Sequence, residues 1–306
     1  MKIKMLDFSI LITTKNRLSD LKETLNQLSH LIENDYVEFI ICDDGSSDST
    51  SDYIATNYKT IQLIKNKKSK GLIFSRNRLL NLTKAQYAIT LDDDAHIVSR
   101  NPLEKIESFF KTYPKCAVIA FRIFWGKELP QKISHTLDNT RVKGYVGCGH
   151  VWRMAAWRSI PNYPDWFVFY GEEEFASYHL FKKNWEIWFV PDVLVHHRVH
   201  IKSRKQNKDY TIRLRRSLRA GWYLYFIFYP VKLIPRKFFY TLWMQLKLKV
   251  FKGDLKAFIA ILGAIFNLII NVPKLLFTRS ALTNLQYQKF MSLPDPVIYW
   301  QPLKKE

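Results

Sequence analysis

Three adjacent aspartates, Asp92, Asp93 and Asp94, follow an apolar stretch that ends at Leu91. Neighbouring carboxylates repel one another, and none of them can lie in a hydrophobic core without a partner. A divalent cation is a common partner, because carboxylate oxygens bind such ions readily. The triplet therefore predicts either a metal site at the end of a strand or a solvated acidic turn.

A second acidic triplet, Glu172, Glu173 and Glu174, follows Gly171 at the start of a segment with helical periodicity. Carboxylates are favourable in the first turn of a helix because they complement its dipole. A carboxylate beside a substrate can also accept the proton of a hydroxyl group. The second triplet is therefore a candidate general base as well as an ordinary helix start.

The elements that must position these side chains alternate along the first ninety residues. Short apolar runs, typical of buried strands, are separated by stretches with apolar residues at helical spacing. We predict strands at 8–13, 37–42, 61–64 and 87–91, with helices at about 20–32, 50–58 and 71–82 between them. This order predicts an α/β fold with a mostly parallel sheet flanked by helices.

Polar residues cluster where the predicted strands end, at Thr13 to Arg17, at Asp43 to Asp48 and at Asp92 to Asp94. Ligands of such sheets bind at the carboxyl ends of the strands, so the clusters should meet at one edge. No Gly-x-Gly-x-x-Gly follows the first strand, which argues against a dinucleotide-binding enzyme.

The second half of the sequence is less regular. We predict a helix and then a strand over 102–121, no confident element from Trp125 to Arg141, and a glycine-rich segment at 144–152. A helix from about 170 to 183 follows, and then strands at 186–191 and 193–197. Glycines in the middle segment would allow the backbone to approach a ligand closely or to bend tightly.

Six motifs in this order carry a resemblance to a known family, and they span residues 8–198. They are Thr13-Thr14-Lys15-Asn16-Arg17, Asp43 to Asp48, Gly71 with Arg76-Asn77, Leu91 to Asp94, Gly147-Cys148-Gly149, and Gly171 to Glu174. The set resembles the inverting family 2 glycosyltransferases with the GT-A fold, of the bacterial surface-polysaccharide or rhamnosyltransferase-like type. Each motif alone is common, and it is their order that makes the resemblance specific.

The resemblance implies a nucleotide-sugar site. Thr13, Lys15 and Asp44 would contact the base and ribose, while Arg76 and Asn77 would lie near the diphosphate. Gly147 to Gly149 would border the donor sugar and the acceptor. The residues expected to bind the nucleotide-sugar are Thr13, Thr14, Lys15, Arg17, Asp43, Asp44, Gly71, Arg76, Asn77, Asp92, Asp93 and Gly149.

The resemblance also implies a metal ion, Mn²⁺ or Mg²⁺, that bridges the diphosphate. Asp92 and Asp94 would hold it, and His196, with His197 as the alternative, could complete the site. Asp93 leaves open which two of the three aspartates bind the ion. For the general base the resemblance favours Glu173 over Glu172.

The charge of the chain is concentrated at one end. The chain has 306 residues and a net charge of +20. Residues 201–306 contain 20 Lys and Arg against four acidic residues, so residues 1–200 carry a net charge of only +4. We therefore divide the chain into a catalytic domain at 1–200 and a basic, aromatic, helical region at 201–306.

Residues 257–273 carry no charge, and their length is at the lower limit for a membrane-spanning helix. The mixture of aromatic and cationic residues in 201–306 fits helices that lie in an anionic membrane interface better, although an embedded hairpin and a buried bundle stay open. Long apolar runs argue against a nucleic-acid partner, since a solvated binding surface does not need them.

Three scattered cysteines, Cys42, Cys116 and Cys148, have no Cys-x-x-Cys spacing and indicate reduced thiols. The sequence does not begin with a secretory signal. We therefore expect a cytoplasmic protein, peripheral on the inner face of the plasma membrane.

The expected function is metal-dependent, inverting transfer of a sugar from a UDP- or dTDP-sugar to a saccharide, which we expect to be lipid-linked, in the synthesis of a cell-surface polysaccharide. Two alternatives are a nucleotidyltransferase and a catalytically inactive, membrane-bound binding protein with the same fold. A nucleotidyltransferase is expected to have a glycine-rich basic loop after the first strand, and Thr13 to Arg17 contains no glycine.

Overall fold

A computed structural model describes residues 7–129, 133–199 and 209–297. The first ninety residues alternate strands and helices as the sequence predicted, since short buried runs form the strands and amphipathic segments cover them. The elements are β1 Phe8–Thr14, α1 Leu18–Gln27, α2 Ser29–Ile32, β2 Val37–Asp43, α3 Thr50–Asn57, β3 Gln62–Lys65, α4 Leu72–Leu82 and β4 Tyr87–Asp92.

The next hundred residues add strands to the same sheet. Their elements are β5 Ala95–Ile97, α5 Pro102–Thr112, β6 Cys116–Trp125, β7 Thr140–Val142, β8 Gly149–Arg153, α6 Met154–Trp157, α7 Glu172–Lys182 and β9 Glu186–His197. The two strands predicted after α7 form one strand, β9, whose pairing with β6 shifts register between Phe121 and Arg122. The glycine-rich segment, for which no element was predicted, supplies β8.

The strands form one sheet in the order β3-β2-β1-β4-β8-β6-β9-β5, and β7 also pairs with β9. Strands β3, β2, β1 and β4 are parallel to one another, as are β6 and β9. Strand β8 runs antiparallel between β4 and β6. The predicted mostly parallel α/β sheet flanked by helices is confirmed, and this is the GT-A arrangement.

Five helices follow the sheet: α8 Tyr210–Phe228, α9 Ile234–Leu248, α10 Leu255–Ile270, α11 Val272–Thr278 and α12 Asn284–Met291. The first part of the helical region predicted at 201–306, up to residue 208, lies outside the described residues. Trp222, Tyr223 and Phe228 of α8 belong to the same hydrophobic cluster as Phe167 and Phe175. The division of the chain at residue 200 stays a prediction, but α8 shares a hydrophobic core with the sheet region.

Helix α10 is apolar on two faces. One face, which includes Ala260, Ile261 and Ala264, is buried, and α10 packs against α8. The opposite face is exposed and consists of Leu255, Phe258, Ile259, Leu262, Phe266, Ile269 and Ile270. In the described part of the chain no single helix has the length and apolarity to cross a membrane, whereas α10 and α11, bent by 62°, meet those criteria as a pair.

Candidate active site

Strand β4 and the turn after it give the three aspartates different surroundings. Asp92 has 28% of its side chain exposed and faces two adjoining cavities. Asp93 is buried, and its carboxylate accepts a hydrogen bond from Thr14 Oγ1 at 2.8 Å and pairs with Arg17 Nη1 at 3.3 Å. Asp94 is buried close to β9 and pairs with Arg17 Nη2 at 2.6 Å. The triplet therefore has one partly exposed carboxylate and two buried ones.

A group suited to a metal ion is formed by Asp92, Asp94 and His197, whose ligand atoms lie within 4.8 Å of one another. His197 Nε2 is 3.0 Å from Asp94 Oδ1 and 3.9 Å from Asp92 Oδ2. Two carboxylates and an imidazole are donors that suit a divalent cation such as Mn²⁺. Asp93 does not belong to this group.

The sequence favoured His196 as the third ligand, and in the structure it is His197 that lies beside Asp94. His196 Nε2 is 2.7 Å from the carbonyl oxygen of Gly126, away from both aspartates. Successive side chains of a strand point to opposite faces, so only one of two adjacent histidines on β9 can reach the aspartates.

Burial and charge shift the proton affinities of this group. Burial raises the pKa of Asp93 to about 7, although Arg17 opposes the shift. Burial would also raise the pKa of Asp94, but His197 and Arg17 outweigh it and hold that pKa well below its usual range. Burial would lower the pKa of His197, whereas Cys148 and Asp94 raise it to about 10. His197 is therefore a cation beside the aspartates when no metal ion replaces its proton.

A cavity of about 510 Å³ opens at the carboxyl ends of β1, β2 and β4. The three predicted polar clusters all contribute to its wall, as expected for a parallel sheet. The predicted nucleotide-sugar residues that line it are Thr13, Thr14, Lys15, Arg17, Asp44, Gly71, Asp92 and Asp93.

Asp44 holds the loop before α4 in place. Its carboxylate accepts hydrogen bonds from Ser69 Oγ at 2.6 Å, from the Lys70 amide at 2.8 Å and from the Gly71 amide at 2.9 Å. These donors keep the pKa of Asp44 low despite its burial, so the carboxylate is ionised. Gly71 has φ +99°, a conformation that glycine adopts without strain. Asp44 was predicted to contact the base of the nucleotide. In this structure its hydrogen bonds hold the loop that shapes the cavity.

Besides Arg76, which lines the second cavity described below, three predicted ligand-binding residues do not line this cavity. Asp43 is fully buried and accepts hydrogen bonds from the Ser46 amide and the Ser51 hydroxyl, so it stabilises the turn after β2. Asn77 bonds to the backbone carbonyl and amide of Tyr163. Gly149 lies within β8 opposite Leu91, against the side chain of Val195. All three support the scaffold around the site. The sequence could not show this, because a polar or glycine motif does not reveal which way a residue faces.

A second cavity, of about 270 Å³, adjoins the first, and the two share Leu72, Asp92 and Phe169 in their walls. The Glu172–Glu174 triplet, at the start of α7, lines the second cavity. Glu172 is 2% exposed, whereas 19% of the Glu173 side chain is exposed. Glu173 is therefore the more accessible of the two candidate bases.

Arg76 joins the two carboxylate clusters. This buried guanidinium pairs with Asp92 Oδ1 at 2.8 Å through Nη2 and with Glu172 Oε1 at 2.8 Å and Glu173 Oε1 at 3.3 Å through Nη1. Burial raises the pKa of Glu172 to about 8, Glu173 adds to the rise, and Arg76 opposes it. Burial also raises the pKa of Glu173 against the effect of Arg76. Arg76 was expected near a diphosphate, and its contacts here are with carboxylates.

Gly147 lines the second cavity, and from the sequence only a general role near the donor sugar and acceptor was predicted for it. Arg76 Nη2 donates to its carbonyl at 3.1 Å. A Cβ on Gly147 would lie 2.1 Å from Glu173 Oε1 and 2.7 Å from Arg76 Nη1. The glycine therefore provides the space in which the Glu173 carboxylate and the Arg76 guanidinium meet.

Two arginines of α8, Arg213 and Arg216, reach the cavities, and sequence analysis did not connect them with the site. They lie about 120 residues beyond the aspartates, and no local motif marks them. Only the packing of α8 beside the segment from Phe167 to Gly171 brings them there, as the hydrogen bond from Arg219 to the Phe167 carbonyl shows.

The sequence model of glycosyl transferase family 2 matches residues 9–179, more than half of the chain. The chain belongs to glycosyl transferase family 2. The family that the sequence resembles is thereby confirmed, and the rhamnosyltransferase-like type stays a prediction. Among curated proteins, no sequence matches the chain.

Solved structures resemble this family 2 chain in fold. GalNAc-T7 with UDP, GalNAc and Mn²⁺ has a TM-score of 0.55 and 16% identity, over 72% of this chain and 50% of that one. The Pyrobaculum calidifontis mannosyltransferase PcManGT with GDP-Man and Mn²⁺ has a TM-score of 0.53 and 12% identity, over 71% and 62%. S. aureus TarS has a TM-score of 0.51 and 17% identity, over 71% and 40%. The aligned part of this chain thus spans less than two thirds of each of these proteins.

Proposed function

We propose that this family 2 protein transfers a sugar from a nucleotide-diphospho-sugar to a hydroxyl group of a saccharide. The observation that carries the proposal is the position of Asp92. Its carboxylate belongs to the candidate metal group, lines both cavities and pairs with the arginine that holds Glu173. A donor in the first cavity and an acceptor in the second would therefore meet beside Asp92.

Glu173 is the proposed general base. It lines the second cavity and is more exposed than Glu172, and its raised pKa suits it to accept a proton. The acceptor oxygen attacks the anomeric carbon as its proton passes to Glu173, and the bond from that carbon to the diphosphate breaks. A single displacement of this kind inverts the anomeric configuration.

Asp92, Asp94 and His197 would hold a divalent cation, which would offset the negative charge that develops on the leaving diphosphate. The mixture of carboxylate and imidazole donors favours Mn²⁺, with Mg²⁺ as the alternative. Mn²⁺ is present with UDP and GalNAc in the GalNAc-T7 structure and with GDP-Man in the PcManGT structure. Arg17, which pairs with Asp94, balances part of the acidic charge around this group.

The donor is proposed to be a UDP-sugar, with a dTDP-sugar such as dTDP-rhamnose as the alternative. The acceptor is proposed to be a lipid-linked saccharide of a surface polysaccharide, reached from the cytoplasmic face of the membrane. The exposed apolar faces of the C-terminal helices support attachment to that surface. The match to family 2 favours glycosyl transfer over nucleotidyl transfer.

The test is transfer from a panel of nucleotide-sugars with Mn²⁺, read by mass spectrometry, in the wild type and in Asp94→Ala and Glu173→Gln. We expect each substitution to reduce transfer at least about a hundredfold, since one removes a metal ligand and the other the base. Asp52→Ala and Glu104→Gln, on exposed turns of α3 and α5, are matched controls. Wild-type transfer that survives both site substitutions would refute the mechanism.

A further inference from the structure

Helix α8 carries a row of arginines toward the two cavities. Arg213, Arg216 and Arg219 are spaced three residues apart and so lie near one face of the helix. Arg213 lines the second cavity, Arg216 lines the first, and Arg219 is buried against the carbonyl oxygen of Phe167. The C-terminal region thus supplies part of the wall of both cavities.

Two other arginines that line the cavities, Arg213 and Arg17, already pair with carboxylates. Arg213 pairs with Asp209 and lies over the ring of Phe169. In the first cavity, Arg17 pairs with Asp20, Asp93 and Asp94. Arg216 is half-buried and makes no hydrogen bond or ion pair with any residue that the structure describes. Its positive charge therefore faces the cavity without a protein partner.

A cation in this position suits an anionic ligand. Burying a charge is costly unless it is paired, so a half-buried guanidinium beside an open cavity favours an incoming anion. A guanidinium binds phosphate oxygens through two parallel hydrogen bonds, which an ammonium group cannot reproduce. Asp92 lines the same cavity and marks the place where the candidate metal group faces it.

We propose that Arg216 of α8 binds the diphosphate of the nucleotide-sugar donor, so that the C-terminal helical region completes the donor site. This inference rests on the proposed function, because it assumes that the first cavity takes a nucleoside diphosphate. It gives residues 201–306 a role in substrate binding in addition to the proposed membrane attachment.

The experiment measures the binding of UDP, UMP and uridine, and of dTDP, dTMP and thymidine, to the full chain by calorimetry in the presence of Mn²⁺. Arg216→Ala should weaken diphosphate binding about tenfold or more, because a hydrogen-bonded charge pair is lost. Binding of the nucleoside should not change. Arg216→Lys should restore part of the affinity, since it keeps the charge and loses the paired hydrogen bonds.

Arg236→Ala is the matched control, because Arg236 is an exposed arginine of α9 in the same basic region and does not line the cavity. Equal diphosphate affinity in the wild type and Arg216→Ala would overturn the inference. Equal loss for nucleoside and diphosphate would also overturn it, because the effect would then be a general disturbance of the site. If the wild type binds no diphosphate, the proposed donor site fails, and the inference fails with it.

Discussion

At the scale of single residues, Asp92, Asp93 and Asp94 are adjacent in sequence and lie in different surroundings. Asp92 ends β4, and Asp93 and Asp94 form the turn before β5, where the middle aspartate contacts Thr14 while the other two lie near His197. An apolar run followed by three carboxylates could predict a metal site. It could not predict which pair forms the site, because the choice depends on contacts with β1 and β9.

His197, not His196, should supply the imidazole ligand of a bound metal ion. His197→Ala should weaken Mn²⁺ binding about tenfold or more, because it removes one of three ligand groups. His196→Ala should leave Mn²⁺ affinity close to that of the wild type, because His196 bonds to the Gly126 carbonyl. Titration followed by the electron paramagnetic resonance of free Mn²⁺ measures both constants. Equal losses in the two variants would contradict the assignment.

Glu172 should make the stability of the protein depend on pH. Its pKa rises from the ordinary 4.5 to about 8 on folding, chiefly through burial, so the folded state binds the proton more tightly than the unfolded state. The free energy of unfolding should therefore fall as the pH rises from about 4.5 to 8.

Glu172→Gln removes this titration, since the amide stays neutral throughout that range. The difference in unfolding free energy, variant minus wild type, should be more positive at pH 8 than at pH 5 by about 1 kcal/mol or more, since one pKa unit is about 1.4 kcal/mol. Urea unfolding at the two pH values, without added metal, measures the difference. A stability difference that is the same at both pH values would show that Glu172 does not titrate as proposed.

At the scale of elements, local periodicity predicted β1 to β4 and their helices because each of these segments buries one side in the common core. Strand β8 could not be predicted in the same way, since it lies in a glycine-rich segment and is defined by its antiparallel neighbours β4 and β6. The backbone conformation of the segment before α7 could not be predicted either. Val168 and Tyr170 adopt positive φ angles there, which their side chains do not favour and which only tertiary packing maintains.

The loop before β8 should be sensitive to a single methyl group at one glycine. In Gly147→Ala the new Cβ would lie 2.1 Å from Glu173 Oε1, so Glu173, the proposed base, or Arg76 must move. Transfer should fall about tenfold or more, because small displacements of catalytic groups are costly. Gly144→Ala is the matched control in the same loop, since its Cβ would lie 3.8 Å from its nearest neighbour. Full activity in Gly147→Ala would mean that Glu173 can act from another position.

At the scale of the whole molecule, one helix connects the site with the exposed apolar faces. Helix α8 contributes Arg216 to the first cavity and packs against α10. Helix α11 follows α10 and also exposes apolar side chains, among them Phe277, which is 94% exposed. Cationic residues such as Lys256 and Lys274 lie on the same two helices. An apolar face with basic residues beside it is the arrangement expected of a helix at an anionic membrane surface.

The apolar face of α10 and α11 should therefore determine attachment to membranes. Phe266→Glu combined with Phe277→Glu removes two exposed aromatic side chains and adds negative charge, so binding to vesicles with anionic lipids should weaken about tenfold or more. Folding should be preserved because both rings are exposed. Co-sedimentation with vesicles measures attachment, and transfer to a soluble acceptor should stay at the wild-type rate.

Tyr36→Glu is the control for that experiment, because Tyr36 is a similarly exposed aromatic residue that precedes β2 in the sheet region. It should bind vesicles as the wild type does. Undiminished vesicle binding by the double variant would show that these two helices do not contact the membrane. Loss of soluble transfer together with vesicle binding would instead mean that this face supports the fold of the site, because α10 packs against α8 and α8 contributes Arg216 to the first cavity.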